Sequence, residues 1–543
     1  MISALLFPPQ SRRRRAAAKR VALCITAAVI GTVVLARTPA ARAQHDPQRN
    51  AMRLVSAERL DAAEKELRKA NAEDPESLFV RCVIALRRGD RDAALRMAQQ
   101  AVQRGLPFDR LLAGPLEYLA PLHESPAFRN WMERQRPSPL LHGPLVGAVT
   151  DSSAAIWVRT REPANVRVVA RTEDGAVAVE ARTTTTWKTD RTAVVRLERL
   201  PPAAAIHYRV LVGEADVPAA EGRFRTFPET GRPARFVVGF GGGAGYVPER
   251  ERMWDTIRAS NPLAFLMLGD NVYIDDPEHP ATQRYCYYRR QSRPEWRRFT
   301  AQTAIFAIYD DHDFGTNDCV PGPHVDRPPW KRRVWTVFRQ NWANPAYGGG
   351  ERQPGCWFDF HIADVHFILL DGRYYRSRDG EPSMLGPVQK QWLFETLRHS
   401  PARFKVIASP VPFTPGVKPG SKDTWDGFAA EREELFRLIE RERIEGVFLI
   451  AADRHRTDLR VIERPDGYDL FEFESSKLTN RHTHPIVRTP GLIWGYNRTC
   501  SWARMTFDTT AKDPTVRFDV VTIDGDVPHS YTLPLSKLRF AGR

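Results

Sequence analysis

Cysteine is scarce in this chain, with six residues among 543. Cys24 lies in the N-terminal segment that we predict below to be removed, so five cysteines remain. These five are spaced too widely to match a zinc motif; they are Cys82, Cys286, Cys319, Cys356 and Cys500. Because five is odd, at least one of them is free, metal-bound or intermolecular. We therefore expect at most two disulfides, whose pairing the spacing does not determine, or else buried and inert thiols.

Long apolar runs and basic clusters that alternate with aromatic residues are also lacking. After residue 43 no apolar run is long enough to cross a bilayer. The formal charge is +15, but the first 43 residues carry eight Lys or Arg and no acid, so their removal leaves +7. This mild surplus favours anionic substrates, whereas nucleic acid is an unlikely partner. Solvated, arginine-rich helix faces explain the surplus equally well.

The first 43 residues have the composition of an export signal. Residues 1–20 are basic, residues 21–36 are apolar, and Ala41-Arg42-Ala43 forms a cleavage site before Gln44. The arginines after Ser11 resemble a twin-arginine signal, whose pathway carries folded proteins, while the Sec route and an uncleaved anchor stay open. We predict export to the periplasm or the extracellular surface, with no transmembrane span in the mature chain.

Three regions with different periodicities follow. Residues 46–135 have helical periodicity, and two similar segments resemble tetratricopeptide (TPR) helix pairs, which suggests a helical cap or a docking site for a protein partner. Residues 141–230 consist of short alternating runs typical of a fibronectin-III-like β-sandwich. Residues 233–543 alternate apolar strand-like runs with helices, which predicts an α/β core with polar strand ends at one edge.

Polar residues cluster where several of these strand-like runs end. Residues 266–276 read LMLGDNVYIDD, residues 307–318 read AIYDDHDFGTND, and a third run ends in Asp453 and His455. Oxygen donors with one or two histidines suit hard or borderline cations, and two such cations can hold a phosphate and activate water. Capping and turn residues would explain one segment alone. The three together predict a metal site.

Six segments occur in the order seen in the PhoD-like alkaline phosphatases, members of the calcineurin-like metallophosphoesterase superfamily: GDNVY, DDHDFGTND, LDGRYYR, DTWDGF, ADRH and ESSKLTN. The chain resembles this family over roughly residues 141–534. The resemblance implies a four-layer αββα core with a dinuclear or multinuclear site holding iron and calcium, other divalent cations remaining open. It further implies hydrolysis of phosphate mono- or diesters by a metal-activated hydroxide.

The resemblance also assigns roles to single residues. It makes Asp270 the carboxylate that bridges the metals and Tyr273 the phenolate on the iron. Further metal ligands are Asp311, Asn317, Asp453 and His455. His312 becomes the group that protonates the leaving oxygen, a task suited to an imidazole.

Substrate contacts are predicted at four other positions. Arg373 is a candidate for binding a phosphate oxygen during catalysis, and Arg289 and Arg290 are candidates for binding the substrate. For each arginine, a structural salt bridge is an equally good interpretation. Asn271, beside the bridging carboxylate, is a candidate for orienting the substrate.

The chain departs from the family pattern at two positions. The family usually has a Ser-Cys pair after the first strand of this region, its cysteine serving as an iron ligand, but Gly243 stands at that position. Water, a backbone group or a nearby residue could take the place of the thiolate, or the first metal is weakened or different. The glycine that usually precedes the Asp453 position is Ala452, a change that could shift the backbone.

The sequence therefore predicts an exported, metal-dependent phosphoesterase. Small molecules, lipids and cell-envelope polymers all remain open as the phosphate-ester substrate. One alternative is a catalytically weak or inactive extracytoplasmic interaction protein that uses the TPR-like and sandwich regions. Another is a nuclease, which would show a steep salt dependence.

Overall fold

The computed structural model describes residues 46–214 and 217–541. The predicted export signal, residues 1–43, and Cys24 therefore lie outside the described residues. The described chain starts with seven helices: α1 (Pro47–Ser56), α2 (Leu60–Leu67), α3 (Pro75–Arg87), α4 (Arg91–Gln103), α5 (Asp109–Ala113), α6 (Leu116–His123) and α7 (Pro126–Gln135). The carboxylates of Asp46, Asp74 and Asp90 accept hydrogen bonds from backbone N–H groups in the first turns of α1, α3 and α4.

Seven strands follow the helices: β1 (Leu140–Gly147), β2 (Ser153–Thr160), β3 (Asn165–Thr172), β4 (Ala178–Thr184), β5 (Thr192–Glu198), β6 (Ala205–Val212) and β7 (Ala220–Arg225). Strands β4, β3, β6 and β7 form a four-stranded antiparallel sheet. Strands β1, β2 and β5 instead extend a nine-stranded sheet, because β1 pairs in parallel with a strand of the C-terminal region, Gly147 opposite Ile305. The fibronectin-III-like and TPR-like relationships stay predictions.

Thirteen further strands build the rest of the two large sheets: β8 (Arg235–Gly241), β9 (Ala264–Leu268), β10 (Ala304–Ile308), β11 (Phe358–Ile362), β12 (Val365–Leu369), β13 (Phe404–Ala408), β14 (Val447–Ala451), β15 (Thr457–Ile462), β16 (Leu470–Ser475), β17 (Leu492–Tyr496), β18 (Ser501–Asp508), β19 (Thr515–Thr522) and β20 (His529–Pro534). The nine-stranded sheet has the order β20-β19-β18-β8-β9-β10-β1-β2-β5, and a seven-stranded sheet has the order β11-β12-β13-β14-β16-β15-β17.

Helices connect these strands: α8 (Met253–Ala259), α9 (Pro280–Gln291), α10 (Pro294–Thr300), α11 (Asp311–Phe314), α12 (Trp330–Asn341), α13 (Gly386–His399) and α14 (Ala429–Arg441). Short 3-10 turns cover Trp187–Thr189, Pro248–Arg250, Trp425–Phe428 and Leu535–Leu538. Within residues 46–214 and 217–541, none of the helices combines the length and the apolarity needed to cross a bilayer.

The two large sheets pack against each other through aromatic side chains. Phe306 of β10 stacks on Phe360 of β11 with ring centroids 3.9 Å apart, and Phe473 of β16 stacks on Phe518 of β19 at 4.6 Å. The neighbouring parallel strands β9 and β10, and likewise β12, β13 and β14, are buried at every position, so both faces of each sheet are covered. The predicted α/β core is confirmed.

All five described cysteines are free thiols, and four of them are buried. Burial raises the pKa of Cys82 to about 12, and it raises the pKa of Cys286 and of Cys319 to the same value. A thiol with so high a pKa is a poor nucleophile and a poor metal ligand. The structure thus has buried, unreactive thiols rather than disulfides in the part of the chain that it describes.

Replacing Phe306 by alanine should lower the free energy of unfolding by about 3–5 kcal/mol, because the ring is fully buried between the two sheets. Urea denaturation followed by tryptophan fluorescence measures the change. The control Val527→Ala, at a side chain that is 41% exposed, should change stability by less than about 0.5 kcal/mol. Equal effects of the two substitutions would contradict the role of this contact.

Candidate metal centre

The polar strand ends meet at one place, as the parallel pairing requires. The carboxyl ends of β9 and β10 lie side by side in the nine-stranded sheet. Asp270 lies on the turn after β9, and Asp311 and His312 lie on the short helix α11 after β10. The carboxyl end of β14, in the seven-stranded sheet, carries Asp453 and His455. The backbone of Gly242, just after β8, forms a bridge with Ser476, just after β16, so the two sheets join beside these turns.

A cavity of about 440 Å³ lies beside these strand ends. It is lined by Asp311, His312, Asn317, Asp318, Lys418, Asp453, Arg454, His455, His482 and His484. Five of the residues predicted for the metal site or for catalysis therefore line one space. Asn317 is exposed on its wall, where its amide oxygen has room to act as a ligand.

Three of the predicted metal ligands, Asp270, Tyr273 and His455, lie next to one another. The hydroxyl of Tyr273 donates to Asp270 Oδ2 at 2.8 Å and lies 2.9 Å from His455 Nε2. His455 Nε2 is 3.8 Å from Asp270 Oδ2. A carboxylate, a phenol and an imidazole this close together can bind a single cation with small shifts.

The hydrogen bonding within the cluster is incomplete in a way that fits bound cations. Asp270 Oδ1, Asp311 Oδ1 and His455 Nδ1 are buried without hydrogen-bond partners among the described residues. Leaving such polar atoms unsatisfied is costly, and buried polar atoms in folded proteins nearly always have a partner. The unpartnered atoms belong to the residue types that coordinate metals.

Backbone strain is concentrated at the same residues. Asp270, Tyr273, Asp453 and His455 have φ values of 55°, 53°, 72° and 47°, in the left-handed region that side chains other than glycine rarely adopt. Each such residue costs of order 1–3 kcal/mol unless the surroundings compensate. This concentration of strain is typical of a functional site, because here the backbone conformation aims the side chains.

Burial and crowding shift the pKa values of the cluster. Burial raises the pKa of Asp270 to about 7, and the neighbouring Asp311 and Asp453 add to the rise, while His312 opposes it. Burial would also raise the pKa of Asp453, but Lys418 and Arg454 outweigh it and hold that pKa below its usual range. Burial lowers the pKa of His455 to about 3, so its imidazole is neutral, as a metal ligand must be.

His312 is held by a residue that the motifs did not single out. Its Nδ1 contacts the carboxylate of Asp275, and the second oxygen of Asp275 contacts the guanidinium of Arg49. Arg49 belongs to α1 and also donates to the backbone oxygen of Tyr273 at 3.1 Å. The N-terminal helical region therefore reaches the site. Burial alone would lower the pKa of His312, but Asp311 and Asp270 outweigh it and raise that pKa.

Arg373 is not placed to bind a phosphate. It is fully buried, contacts Asp310, and donates to both oxygens of Asp423, at 2.7 and 3.2 Å. Its Nη2 lies 3.7 Å from Asp311 Oδ1. The salt-bridge interpretation of this arginine is the better one, because its charge neutralises a group of buried carboxylates.

The substrate contacts predicted for Arg289, Arg290 and Asn271 are wrong for a similar reason. Arg289 pairs with Asp46 at 3.1 Å, and Arg290 pairs with Glu251 at 3.1 Å. The Asn271 amide donates to the backbone oxygen of Ile308 at 2.8 Å and to Asp313. All three side chains are buried and bonded to internal partners, and none of them lines the cavity.

Two cationic residues that do line the cavity were missed. Lys418 lies 2.8 Å from Asp318 and 3.0 Å from Asp423, on a loop whose position the sequence does not reveal. Arg454 lies within the ADRH segment, 3.2 Å from Asp453, and its Nε has no hydrogen-bond partner among the described residues. Arg454 lies between the predicted ligands Asp453 and His455 in the sequence, so it could have been predicted to lie at the site. His482 and His484, another missed pair, lie two and four residues after ESSKLTN.

The structure also explains the two departures from the family pattern. Gly243 has φ 67°, and a Cβ there would lie 2.9 Å from the Lys477 nitrogen and 3.3 Å from His455 Cδ2, so no side chain fits without a shift. At Gly242 a Cβ would lie 2.6 Å from the Cβ of Ala452. The methyl group of Ala452 therefore packs against a residue that has no side chain.

Parts of the chain match known families and structures. Residues 236–490 match the family model described as PhoD-like phosphatase, and residues 137–229 match one described as a domain of unknown function (DUF7800). Alkaline phosphatase D of Bacillus subtilis (strain 168) is 31% identical over 110 residues, which cover 16% of this chain. The match spans only 19% of the length of that curated relative.

Two solved structures have a similar fold. A structure of PhoD superimposes with a TM-score of 0.60 at 17% identity, over 73% of this chain and 91% of that one. The purple acid phosphatase PPD1 from yellow lupin (Lupinus luteus) seeds superimposes with a TM-score of 0.57 at 11% identity, over 73% and 75%. The α/β fold with several sheets therefore resembles both phosphatases.

The buried position of Arg373 leads to a prediction about stability. Arg373→Gln leaves Asp310 and Asp423 buried with less compensating charge, so the free energy of unfolding should fall by about 3–5 kcal/mol. Urea denaturation measures this change. Arg332→Gln removes an arginine from exposed ion pairs with Asp326 and Glu351 and should cost less than about 1 kcal/mol. Unchanged stability in Arg373→Gln would contradict the role of Arg373 in compensating these buried carboxylates.

Proposed function

We propose that this protein, whose residues 236–490 match the PhoD-like phosphatase family model, is an exported, metal-dependent phosphoesterase that hydrolyses phosphate mono- or diesters. One observation carries the proposal. The polar ends of strands from both large sheets converge on one cavity, with ligand atoms of Asp270, Asp311 and His455 buried and unpartnered among the described residues. Such an arrangement is unfavourable by itself and is stabilised by bound cations.

We assign the metal ligands as Asp270, Tyr273, Asp311, Asn317, Asp453 and His455. Carboxylate and amide oxygens suit calcium, and the phenolate and imidazole suit iron, so a site with both ions is the best match to this donor set. When bound, the cations neutralise phosphoryl oxygens and activate water. The chain contributes the buried, strained turns that hold its donors in place.

His312 is the proposed proton donor to the leaving oxygen. Its Nδ1 contacts Asp275, so Nε2 is the ring nitrogen left to reach a substrate in the cavity that His312 lines. A carboxylate on Nδ1 fixes the orientation of the ring and stabilises its protonated form. The acidic neighbours Asp311 and Asp270 raise the pKa of His312, which keeps a proton available for the departing alcohol.

Lys418 and Arg454 are the proposed phosphate ligands in place of the three buried arginines. Both line the cavity. Burial would lower the pKa of Lys418, but Asp453 and Asp423 outweigh it and raise that pKa, so the ammonium stays charged. A guanidinium on the cavity wall is suited to a phosphoryl oxygen, which it can bind through two N–H groups.

The proposal extends to the three regions that precede the phosphatase-like part of the chain. We propose that residues 1–43 direct export to the periplasm or the cell surface. We also propose that residues 46–135 are a TPR-like helical segment and residues 141–230 a fibronectin-III-like sandwich. The helical segment completes the site through Arg49, which supports a role as part of the enzyme rather than as a separate docking module.

Hydrolysis of aryl phosphates tests the function. The chain from Gln44 should hydrolyse an aryl phosphate monoester, a diester or both, and chelation should abolish turnover because the carboxylate cluster needs cations. Asp270→Asn should lower kcat by at least about 100-fold, since it removes the proposed bridging carboxylate. Release of the aryl alcohol, followed by absorbance, measures the rate, and elemental analysis of the same sample counts the metals.

The results of this experiment distinguish a phosphoesterase from an interaction protein. The ester that is hydrolysed faster identifies the substrate class. A protein that carries metals but hydrolyses neither ester would contradict phosphoesterase activity on simple substrates. Absence of both metal and activity would favour the interaction protein.

The contact between α1 and the site predicts a long-range effect on catalysis. Arg49→Gln should lower kcat about 10–100-fold, because Asp275 loses its cationic partner and no longer fixes the His312 ring. KM and metal content should change little. Steady-state kinetics with metal analysis measures all three quantities.

Two controls sharpen this test. Arg87→Gln removes a more exposed arginine of the same helical region, paired with Glu58, and should leave kcat unchanged. Asp275→Asn should reduce kcat by a similar factor, and the double variant should be no worse than the single ones, because the residues act through one contact. Additive losses would argue against the relay from Arg49 to His312.

A further inference from the structure

Three histidines meet at the edge of the cavity. His455 follows β14, whereas His482 and His484 lie on the irregular segment between β16 and β17. Ring centroids of His482 and His484 are 5.2 and 5.4 Å from that of His455, and 4.3 Å from each other. One ring nitrogen of each histidine lies within 4.8 Å of the other two.

The spacing of the pair suits a shared ligand. His482 Nε2 and His484 Nε2 are 3.1 Å apart. Histidine nitrogens bind a tetrahedral ion at about 2.0–2.1 Å, which places two of them roughly 3.3–3.4 Å apart. The two rings are almost perpendicular, with an interplanar angle of 87°, so they converge through their nitrogens rather than stack.

Backbone hydrogen bonds hold the segment that carries the pair. The Asn480 side-chain oxygen accepts from the His482 backbone nitrogen at 2.8 Å, and the Asn497 amide donates to the His484 backbone oxygen at 3.0 Å. A segment anchored on both sides presents its imidazoles in a preorganised way, as metal sites require.

The residues around His455 also explain why extra ligands are needed. Gly243 follows β8 beside His455, and a side chain at this position would meet the Lys477 backbone and the His455 ring. The chain itself therefore supplies no donor side chain from that strand. His482 and His484 approach the same histidine from another segment of the cavity wall.

We propose that His482 and His484, together with His455, coordinate one transition-metal ion beside Gly243, a position that offers no donor side chain. The proposal rests on the proposed function, because it completes the same centre. Three imidazoles suit zinc, iron, nickel or copper and do not suit calcium or magnesium. The ion at this position is thus a borderline transition metal in a nitrogen-rich environment.

Metal binding by a paired variant tests the proposal. The full mature chain is stripped of metal and titrated with Co²⁺ against a competing chelator, and the visible absorption of the cobalt is recorded. His482→Gln/His484→Gln should weaken binding of the tightest Co²⁺ by more than about 100-fold, since even partners outside the first coordination sphere contribute 10–100-fold. Its cobalt spectrum should change as well.

The control pair is His207→Gln/His399→Gln, which removes two exposed histidines away from the cavity. It should bind Co²⁺ as the unaltered chain does. X-ray absorption of the unaltered chain with one equivalent of Co²⁺ provides a measurement that does not depend on folding of the variant. Three imidazoles per ion are expected, and one would contradict the proposal.

The remaining outcomes distinguish this inference from the proposed function. If the unaltered chain binds metal and hydrolyses phosphate esters while the paired variant keeps its Co²⁺ affinity and spectrum, the inference is wrong and the function stands. A rise in KM alone, with metal binding unchanged, would make the two histidines substrate contacts and would also overturn it. If the unaltered chain binds no metal, both proposals fail together.

Discussion

The balance of charge around five aspartates, four of them buried, governs this structure. Arg373 pairs with Asp310 and Asp423, and Arg376 and Lys418 add to the compensation at Asp423. Lys418 and Arg454 hold the pKa of Asp453 below its usual range, whereas burial raises the pKa of Asp270 to about 7. Because burying uncompensated carboxylates costs several kcal/mol each, these arginines and the lysine are what allow the cluster to form.

The sequence revealed the parts of the site that depend on local pattern. Asp270, Asp311 and Asp453 follow apolar runs, and the edge of a parallel sheet brings such positions together. The partners of the arginines are set by tertiary packing, so Arg373 could not be distinguished from a phosphate ligand by its motif alone. Arg49 lies 226 residues before Asp275, and no periodicity connects them. His482 and His484 lie on a segment without regular structure, where spacing carries little information.

Domain boundaries drawn from composition correspond only loosely to the layers of the fold. The change in periodicity near residue 141 marks where short antiparallel strands begin. However, β1 pairs with β10, and the helix α11 that follows β10 carries Asp311 and His312. Three strands from the predicted sandwich region therefore extend the sheet that positions the site. A pattern of alternation detects strands, but it does not say which sheet they join.

The pairing of β8 with β18 has a consequence for folding. Strand β8 leads to Gly243 and runs antiparallel to β18, which lies more than 250 residues later in the chain. The nine-stranded sheet beside the candidate metal centre therefore cannot be complete until β18 has been synthesised. Folding of this region depends on contacts between segments that are far apart in the sequence, and such contacts form slowly.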